Sequence, residues 1–458
     1  MASRSGSGLP GLRRAVRELP DGVRADARHL VASWTTIRFA NGRIHQPHFE
    51  RSLSISFRAS EGGRLGIATT SDGSKDGLDH VVASARSLAR IAPVERTFRG
   101  FPKPEGPTPR AVVCSASTAR SSPESATRIA ERILAAAHAA APGARVAGVV
   151  NVGGEDLTVV NSEGLERSTR TSLAQASVLV DRPDLDPPVS GWSEGAHWDA
   201  ARLDPDALGR VAAERMARSA PAAVEPGAYR VVLRASAVDE LVSFLGLLGF
   251  GGHGEEEGWS CLRTMRGKRV APAFVSLVDD PRSPWTVPAA IDYEGTATRR
   301  VPLVDEGIAG RAVTDLVTAG RLKAPLTGHG PPPEAPFGDW GPYPGHLVLA
   351  PGDASEEELV RETRNGLLVT RFHYVRVVDP GRGVITGMTR DGTYRIAHGE
   401  IAEPVRNLRF TESVLTALKG IERLGRVRHR HASERGGASS AVPAALVRSF
   451  RFTSATLF

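Results

Sequence analysis

The chain has 458 residues, which is too long for one ordinary domain, so two or three domains are expected. It is 41% hydrophobic and 24% charged, with 48 glycines and 32 prolines, which indicates a globular, loop-rich protein and excludes a disordered one. The net charge of +7 permits an anionic partner, but 51 acidic residues are scattered among 58 basic ones, which disfavours nucleic acid.

Cysteine content and the N-terminal sequence predict the compartment. Two cysteines, Cys114 and Cys261, cannot form a disulfide framework. The first twenty residues lack the apolar core of a signal peptide, and no stretch is apolar enough to span a membrane. We therefore expect a soluble, cytoplasmic protein without a membrane span.

The N-terminal half predicts an α/β domain over residues 21–222, after a flexible leader at residues 1–20. The two glycines after Glu61 predict a hairpin turn, and the spacing of apolar residues predicts a helix over 76–91. Further predicted elements are a strand within 27–44, a helix with Ser122 as its N-cap, strands at 144–152, 157–160 and 166–180, a helix over 208–218, and a domain boundary at 222–227.

Residues 229–258 are the segment around which the rest of the chain is organised, because a β-type run leads there into an apolar helix. Ser236 is predicted as the N-cap, with Asp239 in the position of a capping-box acid. Gly249, Gly251 and Gly252 are predicted to end the helix. One apolar face is expected to pack in the core, and it comprises Leu241, Phe244, Leu245 and Leu248.

The C-terminal domain, residues 228–458, is predicted to be rich in strands. Ser355 is predicted to cap a helix that ends at residue 363. The basic run at residues 423–435 is interpreted as a solvated tail or linker, with an anionic partner as the alternative. The other predicted elements are strands within 270–280, 298–304, 346–350, 366–380, 383–398 and 402–410, and a helix over 413–424.

Seven short motifs follow one another in an order that a known family shares. They are Asn161-Ser162-Glu163-Gly164, Val278-Asp279-Asp280-Pro281, Asp292-x-Glu294-Gly295, Leu326-Thr327-Gly328-His329, Gly366-Leu367-x-Val369-Thr370, Thr386-Gly387-x-Thr389-Arg390-Asp391-Gly392 and Gly399-Glu400-Ile401-x-x-Pro404-Val405. Together they resemble the TldD/PmbA family, also called the modulator of DNA gyrase family. The resemblance implies an α+β fold, with an N-terminal α/β domain before a larger β-rich domain, and a dimeric or heterodimeric protease of unfolded peptides.

The resemblance also implies a zinc site in one branch of the family. The TldD branch binds zinc through His-Glu-x-x-x-His on the central helix and a cysteine near the C-terminus, whereas the TldE/PmbA branch lacks these ligands. In this chain Ser243, Phe244 and Leu248 stand at the three helix positions, and the last cysteine is Cys261. A hydrolytic zinc site needs about three protein ligands. We therefore expect no metal or catalytic residue in this chain, and zinc in a TldD-like partner.

Two further groups of residues could bind a metal or transfer protons. The segment 253–257, His-Gly-Glu-Glu-Glu, could contact a metal but is interpreted as a solvated turn. Asp279, Asp280, Asp292 and Glu294 could form an acidic cluster for proton transfer, although strand-end acids more often form turns or ion pairs.

Four residues are candidates for lining a peptide cleft, namely Thr389, Arg390, Asp391 and His329. The alternative for residues 389–392 is a hairpin turn held by an Arg–Asp pair. The alternative for His329, as for His373, is a half-buried, hydrogen-bonded side chain.

The favoured hypothesis is a zinc-less TldE/PmbA-like subunit that pairs with a TldD-like chain, or with a copy of itself, and helps to hold an extended peptide. One alternative is a stand-alone peptidase or hydrolase whose site has moved to the acidic cluster or to His253. The other alternative is a nucleic-acid-associated regulator.

Overall fold

The computed structural model describes residues 8–105, 113–186, 188–332, 340–433 and 437–456. These residues form two sheets with helices packed on them, which confirms the predicted α+β class. Residues 1–7 of the predicted leader and residues 434–435 of the predicted basic tail lie outside the described residues.

The N-terminal half is built on a six-stranded antiparallel sheet. Its strands are β1 (Val23–Ala40), β2 (Arg43–Glu61), β3 (Arg64–Thr70), β4 (Arg145–Asn161), β5 (Glu166–Arg182) and β6 (Val189–His197), in the spatial order β3-β2-β1-β4-β5-β6. The predicted hairpin after Glu61 is confirmed.

Strand β4 runs unbroken through Gly153 and Gly154, where the sequence had suggested two separate strands. A Cβ at Gly153 would lie 2.1 Å from the carbonyl oxygen of Ser33, and one at Gly154 would lie 2.3 Å from that of Thr171. The glycines therefore allow the neighbouring strands to approach closely and do not end the strand.

Five helices accompany this sheet in the described residues: α1 (Leu9–Arg17), α2 (Lys75–Ile91), α3 (Ala116–Ala119), α4 (Pro123–Ala140) and α5 (Pro205–Glu214). Ser122 caps α4 as predicted, because its hydroxyl accepts the backbone N–H of Ser125 at 3.3 Å. Helix α1 contradicts the prediction of a flexible leader. Its Leu12 and Val16 are buried against the core that β1, β2 and α2 form, and this apolar contact orders the segment.

The C-terminal half contains an eleven-stranded mixed sheet. Its strands are β7 (Gly227–Leu233), β8 (Leu277–Asp279), β9 (Val301–Asp305), β10 (Ile308–Ala309), β11 (His346–Leu349), β12 (Gly366–Asp379), β13 (Val384–Ala397), β14 (Glu400–Pro404), β15 (Leu408–Ser413), β16 (Ile421–Ala432) and β17 (Ser439–Ala455). Its helices are α6 (Ala235–Phe250), α7 (Gly252–Glu257), α8 (Leu316–Arg321), α9 (Glu356–Thr363) and α10 (Val414–Lys419).

Five of these strands close into a ring, because β17 pairs with both β15 and β7, while β13 and β12 connect the other two. Four buried phenylalanines from the ring strands contact one another: Phe372, Phe410, Phe450 and Phe452. This aromatic cluster belongs to the largest core of the molecule and makes the ring a rigid platform.

Helix α6 packs against β12 and β17 and contributes to the same core. The prediction of Ser236 as its N-cap is wrong, because the helix begins at Ala235 and its N-cap is Arg234. The Arg234 side chain does not cap the helix. It instead bonds Glu356 at 2.7 Å and Thr370 at 3.1 Å.

The basic run at 423–435 is not a tail over the residues described, since it forms most of β16, which pairs with β17. The helix predicted over 413–424 is correspondingly shorter, and α10 ends at Lys419. Ser355 caps α9 as predicted, in a capping box with Glu358.

The two halves meet where β6 packs against β13 and β16. Cys114 and Cys261 are both free thiols. Among the described residues, no helix is long and apolar enough to cross a membrane.

Candidate functional site

Ionisable side chains from both halves converge between β6 and the start of α6, in a region that we call the interdomain cleft. Side chains alternate along β6, so Ser190, Trp192 and Glu194 leave the strand on one face. The opposite wall comes from the first turns of α6 and from three strands of the C-terminal sheet. Its residues are Asp239 and Glu240 of α6, Arg371 of β12, Asp391 of β13 and His431 of β16.

Glu194 and His431 form an ion pair between the two halves. The Nδ1 atom of His431 donates to the Oε1 atom of Glu194 at 3.2 Å, and the His431 side chain is only 6% exposed. Burial by itself raises the pKa of Glu194, but the hydrogen bond and charge of His431 outweigh it and lower the pKa to about 2. Burial likewise lowers the pKa of His431, but Asp239 and Glu194 reverse the effect and raise it. The contacts therefore favour the charged form of both members of the pair.

Two consecutive acids of α6 face the same pair. Burial raises the pKa of Asp239, although the charge of His431 and a hydrogen bond from Ser440 oppose the shift. Burial and repulsion from Asp239 and Glu194 raise the pKa of Glu240 to about 7. Glu240 makes no hydrogen bond or ion pair with any described residue. Its carboxylate is therefore poised to gain or lose a proton, or to accept a bond from a ligand.

Arg371 and Asp391 pair with each other on the C-terminal wall of the cleft, and each of them also contacts a residue of β6. The Nη2 atom of Arg371 lies 2.5 Å from Oδ2 of Asp391, whose Oδ1 accepts a hydrogen bond from the Ser190 hydroxyl at 2.7 Å. The Arg371 guanidinium also lies 4.0 Å from the centroid of the Trp192 ring. Beside Asp391 and Ser190 lies a cavity of about 170 Å³, which Gly392, Tyr394 and Arg406 also line.

The four cleft candidates from the sequence are not all at this site. Asp391 lies in the cleft and lines the cavity, and Arg390 is its partly exposed neighbour, 3.8 Å away. Thr389 is fully buried and accepts the backbone N–H of Leu408. Residues 389–392 lie inside β13 and do not form a turn between strands, with Asp391 at a φ of +54° where the pairing with β12 slips.

His329 lies elsewhere, because its side chain is 4% exposed and both ring nitrogens have partners. The Nε2 atom donates to Asp279 at 2.7 Å, and Nδ1 lies 2.9 Å from the Thr327 hydroxyl. The alternative of a hydrogen-bonded structural histidine describes this residue better than a place in the cleft.

The acidic residues considered for proton transfer are engaged in folding contacts. Asp292 accepts the backbone N–H groups of Glu294, Thr296 and Gly330. Glu294 binds Arg58 of the N-terminal sheet at 2.6 Å and the N–H of Leu316 at 2.8 Å. These acids form turns and connect the two halves.

The segment at 253–257 forms most of the short helix α7, where a solvated turn had been expected. The potential ligand atoms of His253, Glu256 and Glu257 lie within 4.8 Å of one another. However, one of the two acids in this group, Glu256, already pairs with Arg321 at 2.7 Å, and the adjacent Glu255 pairs with Arg266 at 2.5 Å.

Comparison with known proteins identifies the family. Residues 25–89, 118–220 and 226–454 match the models of the PmbA/TldA metallopeptidase domain 1, central domain and C-terminal domain. The chain belongs to the TldD/PmbA metallopeptidase family. The resemblance predicted from the seven motifs is thereby confirmed. The first two family models divide the N-terminal half between residues 89 and 118. In the structure the strands on both sides of this division belong to the same six-stranded sheet.

Individual relatives match the chain over different lengths. A metalloprotease of Methanothermobacter thermautotrophicus is 25% identical over 414 residues, which are 88% of this chain and 87% of that protein. A zinc metalloprotease TldD homolog of Saccharolobus solfataricus is 25% identical over 174 residues, 36% of this chain and 37% of the homolog. The structure of TldE from Thermococcus kodakarensis has a TM-score of 0.84 at 18% identity and covers 97% of this chain and 100% of TldE, so the fold is shared.

The helix positions at which the TldD branch carries its zinc ligands do not fit a metal in this chain. Leu248 is fully buried in the core, and Phe244 packs against that core. Ser243 is exposed, and its hydroxyl lies 3.5 Å from Asp239. A phenyl ring and an isobutyl group donate no electron pair, and a hydroxyl alone does not replace an imidazole or a thiolate.

Sequence reasoning missed Glu194, Glu240 and His431. Glu194 and His431 are 237 residues apart and their elements meet only in the folded chain. Glu240 follows Asp239 on a predominantly apolar helix, where one more acid gives no distinct signal in the sequence. The alternation of His429, Arg430 and His431 was the one available signal, because a strand would place the two histidines on a single face.

Proposed function

We propose that this chain is a zinc-less TldE/PmbA-like subunit of a TldD/TldE-type metallopeptidase complex that degrades or processes unfolded peptides in the cytoplasm. The observation that carries the proposal is the donor chemistry of α6. Ser243, Phe244 and Leu248 supply no set of ligands for zinc, in a family described as metallopeptidases. Hydrolysis is accordingly assigned to a zinc-bearing TldD-like partner.

In this proposal the interdomain cleft contributes to holding the peptide. The unpaired carboxylate of Glu240 can accept backbone N–H groups of an extended chain, in the manner in which a strand is added to a sheet edge. The cavity beside Asp391 offers room for a side chain. The Glu194–His431 ion pair and the hydrogen bond from Ser190 to Asp391 hold the two walls together.

The proposal is tested by purifying the tagged chain from its native host and analysing metal content and peptidase activity. We expect a second chain with His-Glu-x-x-x-His to co-purify, zinc to follow that chain, and a chelator to abolish cleavage of an unfolded peptide. The separated chain is expected to hold no stoichiometric zinc and to cleave nothing. One zinc per separated chain, or chelator-sensitive cleavage by it, would contradict the proposal.

A second candidate, a stand-alone hydrolase, is favoured by one observation, the pKa of about 7 at Glu240, because a general base near neutrality suits proton transfer. Cleavage by the separated chain that resists chelators and is lost in Glu240→Gln would establish it. The matched control is Glu225→Gln, an exposed acid outside the cleft. The residues first considered for this role, Asp292 and Glu294, are instead occupied by backbone N–H groups and Arg58.

A further inference from the structure

Two arginines, Arg428 and Arg430, lie against one tryptophan next to the interdomain cleft, and the charge of a third, Arg202, acts on Arg430. We propose that Arg202, Arg428 and Arg430, together with Trp285, form a subsite for a carboxylate of the bound peptide, which we call the arginine subsite. The carboxylate is either the C-terminus of the peptide or an Asp or Glu side chain. The inference deepens the proposed function and rests on it, since it names the chemical class of peptide that the subunit receives.

Two of the arginines lie side by side because side chains on a strand alternate between its two faces. Arg428 and Arg430 are two residues apart on β16, so their side chains leave the same face. Their guanidinium carbons lie 4.2 and 4.3 Å from the centroid of the Trp285 ring. The loop with Trp285 is attached to the end of β6 by a hydrogen bond from Nε1 of Trp198 to the carbonyl of Pro284, at 3.1 Å. The subsite therefore spans both halves of the molecule.

The positive charge of the subsite is not balanced within the part of the chain that the structure describes. Arg202, Arg428 and Arg430 make no ion pair with any described residue. Burial lowers the pKa of Arg430, and the charges of Arg202 and Arg428 lower it further. Burial and the charge of Arg430 lower the pKa of the adjacent His197 to about 4, so that imidazole is neutral at pH 7.

A buried donor without a partner points to a ligand. The Nε–H of Arg430 is inaccessible to water and has no acceptor among the described residues. A carboxylate would accept the terminal Nη–H groups of the same guanidinium, in the bidentate geometry that arginine favours, and the Nε–H becomes available to it only if the side chain turns. The carboxylate would also offset the repulsion between the three cations, while the indole face keeps the guanidinium planes oriented.

The extent of the subsite favours a peptide carboxylate over nucleic acid. Affinity for nucleic acid depends on many cation–phosphate contacts along a track. Here the next residue of β16, His431, already pairs with Glu194, and Arg426 lies close to the acids Glu357 and Glu358. Among the described residues of β16, the arginines without an acidic partner are therefore confined to the arginine subsite, and a site of this size can bind one carboxylate.

The test is fluorescence anisotropy of labelled unfolded peptides bound to the full chain, without partner or metal. One peptide pair differs only in a free or amidated C-terminus, and a second pair differs only in an internal Asp or Asn. The wild-type chain is expected to favour one carboxylate-bearing member, and the pair that discriminates identifies the source. Arg428→Gln with Arg430→Gln is expected to weaken that peptide by about tenfold and to leave its neutral counterpart unchanged.

Three controls keep the result specific. Arg451→Gln changes an exposed arginine of β17 and is expected to have no effect. Lysine at both positions keeps the charge but removes the planar fork, so an intermediate loss is expected. Thermal melts followed by circular dichroism confirm that each variant is folded.

Equal affinity for both members of each pair, no binding at all, or an equal loss for both members in the double variant would overturn the inference. Competition by a short DNA strand, lost in the double variant, would assign the arginines to nucleic acid instead. Because the assay involves no hydrolysis, finding zinc in the separated chain would refute the proposed function and leave this discrimination intact.

Discussion

The two faces of β16 carry the same kind of residue and have opposite surroundings. On one face His431 lies against Glu194 and Asp239, so its positive charge is matched inside the protein. On the other face Arg428 and Arg430 lie against Trp285, and no described acid pairs with them. The comparison teaches that a polar alternating strand can serve folding on one side and binding on the other.

Substitutions on the two faces of β16 should affect different properties of the protein, namely its stability on one face and its ligand affinity on the other. Removing one member of a buried ion pair leaves the other charge without compensation, and this lowers the free energy of unfolding. Removing a cation that only neighbouring cations surround relieves repulsion, so we expect its loss to reduce ligand binding and to change stability little.

The largest effect on stability is expected for His431→Ala, which removes the cation that Glu194 and Asp239 share. The free energy of unfolding should fall by about 3 kcal/mol, as measured by urea denaturation. The matched control is His429→Ala, an exposed residue on the same face of β16, for which we expect less than about 0.5 kcal/mol. A similar loss of unfolding free energy in the two variants would show that the ion pair of His431 does not stabilise the fold more than the exposed His429 does.

The next effect has the opposite sign. Glu240→Gln removes a carboxylate whose pKa is raised to about 7 by burial and by Asp239. An acid whose pKa is raised by folding destabilises the folded state once the pH exceeds the pKa that the same acid has in the unfolded chain. We expect a gain of about 1 to 2 kcal/mol at pH 8 and a smaller gain at pH 5, by urea denaturation. A loss of stability at pH 8 would show that Glu240 has a partner in the folded protein.

A pH series sharpens the comparison further. The pKa of His431 is raised above 6.5, so its stabilising effect is complete below 6.5 and is lost as the pH rises through the folded value. The pKa of Glu194 is lowered from 4.5 to about 2, so its effect is complete above 4.5 and is lost as the pH falls towards 2.

The stability difference between the wild-type chain and His431→Ala should therefore be greatest between pH 4.5 and 6.5. We expect it to shrink as the pH rises towards 8.5, as measured by urea denaturation at each pH. A difference that is flat across this range would mean that the pair is not ionic.

The smallest effect on stability is expected on the face of β16 that carries Arg428 and Arg430. Arg430→Gln loses a cation–π contact worth about 0.5 to 1 kcal/mol, but it also relieves repulsion from Arg202 and Arg428. The free energy of unfolding should change by less than about 0.5 kcal/mol, as measured by urea denaturation. A loss comparable with that of His431→Ala would give the arginines a structural role.

Local signals predicted local structure well. The hydroxyls of Ser122 and Ser355 accept N–H groups three residues ahead, an interaction that needs no distant partner, and both caps are confirmed. The basic run at 423–435 was wrongly interpreted as a tail, because a strand that is polar on both faces lacks the apolar alternation of an ordinary one. Its partners, Glu194 and Trp285, lie far away in the chain.

The sequence by itself determined the family, the α+β class and the absence of zinc ligands at Ser243, Phe244 and Leu248, because motif order and residue chemistry are properties of the chain. Only the tertiary structure decided that Glu240 has no partner among the described residues and that β16 divides its charges between two environments. Electrostatic compensation depends on distances between residues that are hundreds of positions apart, and folding alone sets those distances.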